Sequence, residues 1–309
     1  MAKAKKEVSG WSKAIKIIII LFIFSFMVSW IVSIFIGEEF KNGNVAVIPI
    51  KGIIASENYG MFGQEVSDSQ TIVEFIEKAD RNPNIEGIIF EINSPGGSPV
   101  ATEEISNAIK RTNKTTVAWI REMGASAGYW VATSCDKIVA SKMSVTGSIG
   151  ARLSYMEFSG LLKDYNITYQ RLIAGKYKDV GDPFTTLGIQ EKKLLQDYLD
   201  RLHDYFISAV AENRGLSEEE VRKVATGMFY LGSEAKELGL IDVLGGKEEA
   251  VNIIEEELNI TVELTEYKEE KRLSDLLGGI FSQQSFFVGK GIGNSLLESR
   301  NFNKFEVWT

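Results

Sequence analysis

Cysteine and histidine each occur once in the 309 residues, as Cys135 and His203. A single Cys excludes an intrachain disulfide and any CxxC zinc site. A single His excludes a metal centre built on several imidazoles and makes any Ser-His or Cys-His mechanism depend on one ring. Proline is scarce too, with 5 residues against 28 glycines, which excludes Pro-rich disordered and collagen-like chains. Positive charge is in deficit: 34 Lys+Arg face 42 Asp+Glu for a net charge of −8, which argues against bulk nucleic-acid binding. What is present is a hydrophobic content of 44%, enough for one large or two medium domains with real cores.

The charge is unevenly spread. Lys3, Lys5, Lys6, Lys13 and Lys16 stand against Glu7 alone in residues 1–37, so a basic head precedes a body more acidic than the whole. Residues 17–36, IIIILFIFSFMVSWIVSIFI, carry no charged side chain. At ~1.5 Å per residue this run covers about 30 Å as a helix, the hydrocarbon thickness of a bilayer. A cleaved signal peptide is the rival, but its apolar region is usually only ~7–15 residues, and no clear small-x-small site follows. The expectation is an uncleaved single-pass helix with the lysines holding the N-terminus in the cytoplasm. The rest then lies outside the cytoplasm, where a domain with a large core can dispense with disulfides.

Beyond a short linker, the patterns alternate. Strands are expected at 45–54, 85–93, 115–120 and 136–141, and helices at 70–82, 100–112 and 125–135, with a polar loop at 57–68. This βαβ alternation predicts an α/β fold with a mostly parallel sheet. Downstream the reading is a helix at 158–166, a strand at 168–174 and a loop at 175–188. A long helix at 190–213 follows, with Leu195, Tyr198, Leu199, Leu202, Tyr205, Phe206 and Ala209 as its apolar stripe. Helices near 217–224, 233–238 and 247–257, a late strand at 259–267 and a weakly patterned tail complete the chain. No solenoid-period repeat is evident.

Three segments can carry chemistry. Asn93-Ser94-Pro95-Gly96-Gly97-Ser98 joins a buried strand to a helix. Its glycines and proline suit a loop whose amides point at an oxyanion or a phosphate, although a plain tight turn has the same composition. Met123-Gly124-Ala125-Ser126-Ala127-Gly128-Tyr129 sets a serine among small residues at a strand-to-helix transition. Ser126 there is either a helix N-cap or a nucleophile. GASAG fits G-x-S-x-G, but a nucleophile elbow also needs an acid and a histidine later in the chain. His203 falls inside the long helix among Asp200, Arg201 and Asp204, and reads as a solvated or partly packed residue. A neutral lysine can replace it. An ordinary lysine is unprotonated in only about one molecule in 2,500 at pH 7, so such a base needs a sheltered site. Gly175-Lys176-Tyr177-Lys178-Asp179-Val180-Gly181 offers two lysines, and the pattern alone does not choose between them.

In order and spacing these segments resemble the signal peptide peptidase A (SppA) family, membrane-anchored serine peptidases of the ClpP/crotonase fold. The resemblance runs over about 45–250. It rests on SPGG (94–97), ASAGYW (125–130), TGSIG (146–150), YKD (177–179) and GLIDVLGG (239–246). It implies Ser126 as nucleophile, Lys178 as general base because the lysine follows the tyrosine, and Ser148 as the hydroxyl that orients the amine. Backbone N–H groups of Ala127 and of Gly97, rather than Gly96, would form the oxyanion hole. Ala127 replaces a glycine common in the family, which leaves the amide intact. The implied domains are a basic cytoplasmic segment (1–16), a transmembrane helix (17–36), a linker (37–43), a ClpP/crotonase-like peptidase domain (44–267) and a tail (268–309). The implied partners are the membrane, peptide substrates such as cleaved signal peptides, and identical subunits in a ring whose neighbour can supply the lysine. No metal or organic cofactor is implied. The alternatives are a crotonase-like acyl-CoA enzyme and an inactive membrane scaffold of the same fold.

Overall fold

The computed structural model describes residues 10–35, 43–57 and 65–268. The linker up to residue 42, part of the 57–68 loop and the tail from residue 269 lie outside the described residues. The first structural unit ends at Glu266.

Helix α1 (Gly10–Phe35) starts earlier than the apolar run alone suggests. It contains no Gly or Pro after its first residue, and Ile18, Phe22 and Phe26 are exposed on it. Among the described residues, no helix is long and apolar enough to cross a membrane. The sequence continues the apolar run of α1 through Ile31, Val32, Ile34 and Phe35.

The body is a nine-stranded sheet among the described residues. Strand β1 (Val45–Ala55) pairs in parallel with β3 (Gly87–Gly97) on one side. On its other side lie β2 (Val66–Asp68) and, near its start, β9 (Leu264–Glu266). Pro49 falls between the β9 and β2 pairings, where a missing N–H is tolerated. The sheet continues in parallel through β4 (Thr115–Ala125), β5 (Lys137–Ala140) and β8 (Val243–Leu244). A short β6 (Val145–Gly147) extends β4 in parallel, and β7 (Phe229–Leu231) pairs antiparallel with β6. The expected mostly parallel α/β sheet is therefore present.

Helices α2 (Ser69–Arg81) and α3 (Pro99–Arg111) are the crossovers. The Asp68 carboxylate caps α2 through the Gln70 amide, and α3 opens on Ser98 followed by Pro99 at its first position. Ile72, Ile76 and Ala79 form the buried stripe of α2. Under these helices and α4 (Ala127–Thr133) lie Ile48, Ile50, Phe90, Ile92 and Ile120, all without solvent exposure. The opposite face packs Val45, Val47, Ile89, Val117 and Val139 against Ala250 and Ile254 of α9 (Lys247–Leu258). Each such side chain contributes about 1.5–3 kcal/mol of burial.

The second half differs from the sequence reading: β7 and β8 were not expected, and two stretches fold otherwise. Residues 168–174 form no strand, although TYQRLIA is rich enough in β-formers: among the described residues no strand pairs with them, and a strand needs one. From 151 to 188 the only regular element is α5 (Ser159–Asp164), and its surroundings leave Met156, Tyr165 and Leu172 exposed. Helix α6 (Ile189–Arg214) is buried only toward its C-terminal end, at Phe206, Ile207, Val210 and Ala211. Tyr198 and Tyr205, placed on the stripe, are exposed.

GLIDVLGG closes the fold. The Arg214 guanidinium reaches Asp242 through two contacts, at 2.8 and 2.9 Å, and also donates to the Gly239 carbonyl. Burial pushes the Asp242 carboxyl upward, but the Arg214 hydrogen bonds and charge and the Ile138 amide outweigh it and hold the group below its usual range. Tyr129 of α4, fully buried, donates to the Leu240 carbonyl at 2.8 Å. Helix α4 is thus fixed from below as well as from the sheet. Helices α7 (Glu218–Val224) and α8 (Gly232–Glu237) fill the remaining surface.

Candidate active site

The sheet is irregular where the sequence motifs lie. Against β1, strand β3 shifts register between Asn93 and Gly96, around Ser94 and Pro95; against β4 it shifts between Ile92 and Ser94. SPGG is therefore not a turn after the strand but its bulged last segment, still paired through Gly96 and Gly97 to Ile53 and Ile54. The reason is steric: a Cβ on Gly97 would lie 1.9 Å from the Ile54 carbonyl oxygen, an approach only glycine allows.

Ser94 organises this bulge, and sequence reasoning did not single it out. Wholly buried, its hydroxyl donates to the Gly52 carbonyl at 2.6 Å and accepts the Gly96 amide at 3.1 Å. The Gly96 N–H is thereby occupied. Ser98 N–H donates to the Ile54 carbonyl at 2.8 Å, so by alternation the Gly97 N–H points away from β1. No signal local to the motif reveals this role, because Gly52 lies 42 residues away.

Ser126 sits between β4 and α4 with φ 51° and ψ −123°, a strained conformation for any residue with a side chain. The backbone around it is held on both sides. Its amide donates to the Gly147 carbonyl at 2.8 Å, and its carbonyl accepts the amides of Tyr129 and Trp130. Its side chain makes no capping bond to α4, and among the described residues its hydroxyl has no hydrogen-bond partner. A serine that only capped the helix would be bonded to that helix's first amides. Gly96 packs directly behind it: a Cβ there would come 2.9 Å from the Ser126 Cβ and 3.2 Å from its Oγ.

Ser148 lies beside this turn, because Gly147 pairs with Ala125 and receives the Ser126 amide. It too has positive φ, 52°. Its amide donates to the Met228 carbonyl at 2.8 Å, and its hydroxyl faces the Gly227 carbonyl at 3.4 Å. The Gly227–Met228 loop that braces it was invisible to sequence reasoning, being 79 residues away. Thr146, buried, ties the same strand to the Gly124 carbonyl at 2.7 Å.

Lys178 is placed differently. It lies in a turn closed by its own amide on the Gly175 carbonyl at 3.2 Å, and its side chain is exposed. Among the described residues its ammonium has no hydrogen-bond or ion-pair partner, so a single chain does not join it to Ser126 or Ser148. Lys176 lies over the Tyr177 ring at 4.7 Å. His203 is part-packed on α6 with Nε2 enclosed and unpartnered among the described residues. No group of three or more His, Cys, Asp or Glu among the described residues could hold a metal ion. Beside the bulge opens a groove of about 630 Å³, walled by Asn93, Pro95, Arg121, Met123, Met143 and Val145.

The close packing gives a prediction whose sign is not obvious. Ala in place of Gly128 normally gains about 0.5–1 kcal/mol inside a helix. Here its Cβ would lie 2.9 Å from the Ser94 carbonyl oxygen. Overpacking of roughly 1–3 kcal/mol wins. Gly128→Ala is expected to lower Tm and to cut peptide hydrolysis about tenfold or more, as measured by thermal unfolding and steady-state rates.

Residues 108–261, which hold Ser126, Ser148 and Lys178, match the model of peptidase family S49. The chain is 33% identical over 247 residues to a putative protease of Methanocaldococcus jannaschii, covering 79% of each protein. It is 29% identical to a putative signal peptide peptidase SppA of Enterococcus faecium, covering 75% of this chain and 69% of that one. Among solved structures it is similar to a mutant membrane-bound stomatin-specific protease in complex with a substrate peptide, at TM-score 0.51 and 17% identity, covering 77% of this chain and 97% of that one. That likeness supports a ClpP-like fold. With residues 108–261 matching the family model and a relative 33% identical over 79% of its length, the chain belongs to peptidase family S49 and is a serine peptidase.

Proposed function

We propose that this peptidase is membrane-anchored and works through a Ser126–Lys178 dyad. The observation that carries the reading is the Ser126 hydroxyl, held by a strained backbone and bonded to nothing among the described residues. Neutral Lys178 takes the Ser126 proton as the oxygen attacks a peptide carbonyl. The oxyanion forms against the amides of Gly97 and Ala127, Gly96 being committed to Ser94. Lys178 then protonates the leaving amine and later activates water for deacylation, while Ser148 orients the amine.

Lys178 must leave solvent for this to happen, and a second copy of the chain supplies the shelter. Support comes from the apolar side chains on residues 151–189 that none of the described residues covers: Leu172 is 100% and Ile189 92% exposed. Monomers rarely leave so much uncovered. A ring of identical subunits buries them and lets one subunit's Lys178 serve its neighbour's Ser126. The apolar run of α1 and the lysines before it support a single-pass anchor with the catalytic domain outside the cytoplasm.

The substrates are released signal peptides or other short apolar peptides, bound extended. The groove beside the SPGG bulge, with Pro95, Met123, Met143 and Val145 in its wall, and the name of the Enterococcus relative support this. The test is cleavage by the full chain in detergent of a synthetic signal peptide and of a stably folded globular protein. Cleavage of the peptide alone is expected; equal cleavage of the folded protein, or none of the peptide, would overturn the substrate reading.

A further inference from the structure

Residues 168–174 form no strand among the described residues. Tyr169 and Arg171 of this stretch reach carboxylates in the loop that carries Lys178. Tyr169 Oη donates to Asp182 Oδ2 at 2.7 Å, and Asp182 Oδ1 accepts the Phe184 amide at 2.7 Å. Arg171 grips Asp179 with its fork, Nη2 to Oδ1 at 2.7 Å and Nε to Oδ2. The Asp179 carbonyl accepts the Asp182 amide at 3.0 Å. Asp179 follows Lys178 directly, yet its carboxylate is committed to a different cation, while the Lys178 ammonium has no partner among the described residues.

The charged and titratable groups around this loop are few. Asp179, Asp182 and, at the start of α6, Glu191 all face Arg171. Tyr169 faces Asp182 and Asp179, and Lys176 lies over the Tyr177 ring. The Arg171 hydrogen bonds and charge hold the Asp179 carboxyl below its usual range, which favours its anionic form. An uncommitted carboxylate within ~4–6 Å favours the charged form of an amine by about 1–3 pKa units. For a general base that requires the neutral form, this is the wrong direction.

We propose that Arg171 is a positioning residue that acts through Asp179: its fork takes the carboxylate next in sequence to Lys178 and so denies the Lys178 ammonium a counter-ion. This inference rests on Lys178 being the base. It is distinct from a plain folding role, because it concerns the protonation of Lys178 and not merely the shape of the loop.

The test is the pH dependence of kcat/KM for the full chain. A neutral-lysine base gives activity that rises with pH through an acid limb. Arg171→Met frees Asp179, favours the ammonium and is expected to move that limb upward by about one pH unit, a tenfold loss on the acid side that recovers at high pH. Arg171→Met combined with Asp179→Asn removes the freed anion and returns the limb to its original place. Arg171→Lys, which keeps a cation without the fork, shifts it partway and serves if the Met variant does not fold. A loss at all pH values with an unmoved limb, or no restoration by Asp179→Asn, would overturn the inference. Lys178→Ala separates the two levels. If that variant keeps normal turnover, the base assignment fails; if it is inactive and the Arg171 variants leave the limb in place, only the role of Arg171 fails.

Discussion

Ser126→Ala is expected to reduce peptide hydrolysis by roughly a thousandfold or more while leaving the fold intact. The two halves of this expectation come from the same geometry. The hydroxyl has no hydrogen-bond partner among the described residues, so its removal leaves no buried group unpaired. The φ of 51° is a property of the backbone, held by the Gly147 carbonyl and the first turn of α4, and Ala keeps the same Cβ under the same strain. Tm should therefore change by no more than about 2 °C, since surface-like changes of this kind stay within about 0.5 kcal/mol. Parallel rate and thermal-unfolding measurements check it. Lost activity with a large fall in Tm would point to a structural serine instead.

Lys178→Ala is expected to cost as much, again without a stability change in the separate chain, because the exposed ammonium makes no bond among the described residues. Residues that act as one catalytic unit are not additive, so the double variant with Ser126→Ala should be no worse than either single variant. The proposal that a neighbouring subunit supplies Lys178 has a sharper consequence. Two inactive variants, Ser126→Ala and Lys178→Ala, assembled together should regain a fraction of wild-type turnover, since mixed particles contain interfaces with one intact Ser126 and one intact Lys178. No recovery in verified mixed particles would place both residues in one chain.

Much of the fold was legible because its causes are local. The period of Ile72, Ile76 and Ala79 and the apolar run Ile88-Ile89-Phe90 of β3 follow from burial of one helix face and of both sheet faces. Ser126 was legible as a serine at a strand-to-helix junction, but its φ and its unbonded hydroxyl were not, because the Gly147 carbonyl that helps hold it comes from another strand. Ser94 and the Gly227–Met228 brace were missed for the same reason: their partners are 42 and 79 residues away. The stretch 168–174 was misread because composition reports the capacity to form a strand, whereas a ladder needs a neighbour. Tyr169 and Arg171 instead hold a loop through Asp182 and Asp179.

The most direct measurement is the reaction of the full chain with a serine-reactive fluorophosphonate, with the adduct located by peptide mass mapping. The account predicts one adduct on Ser126 in the wild type, strongly slowed in Lys178→Ala and absent in Ser126→Ala. An adduct on another residue, or labelling of Ser126 at an undiminished rate without Lys178, would contradict it.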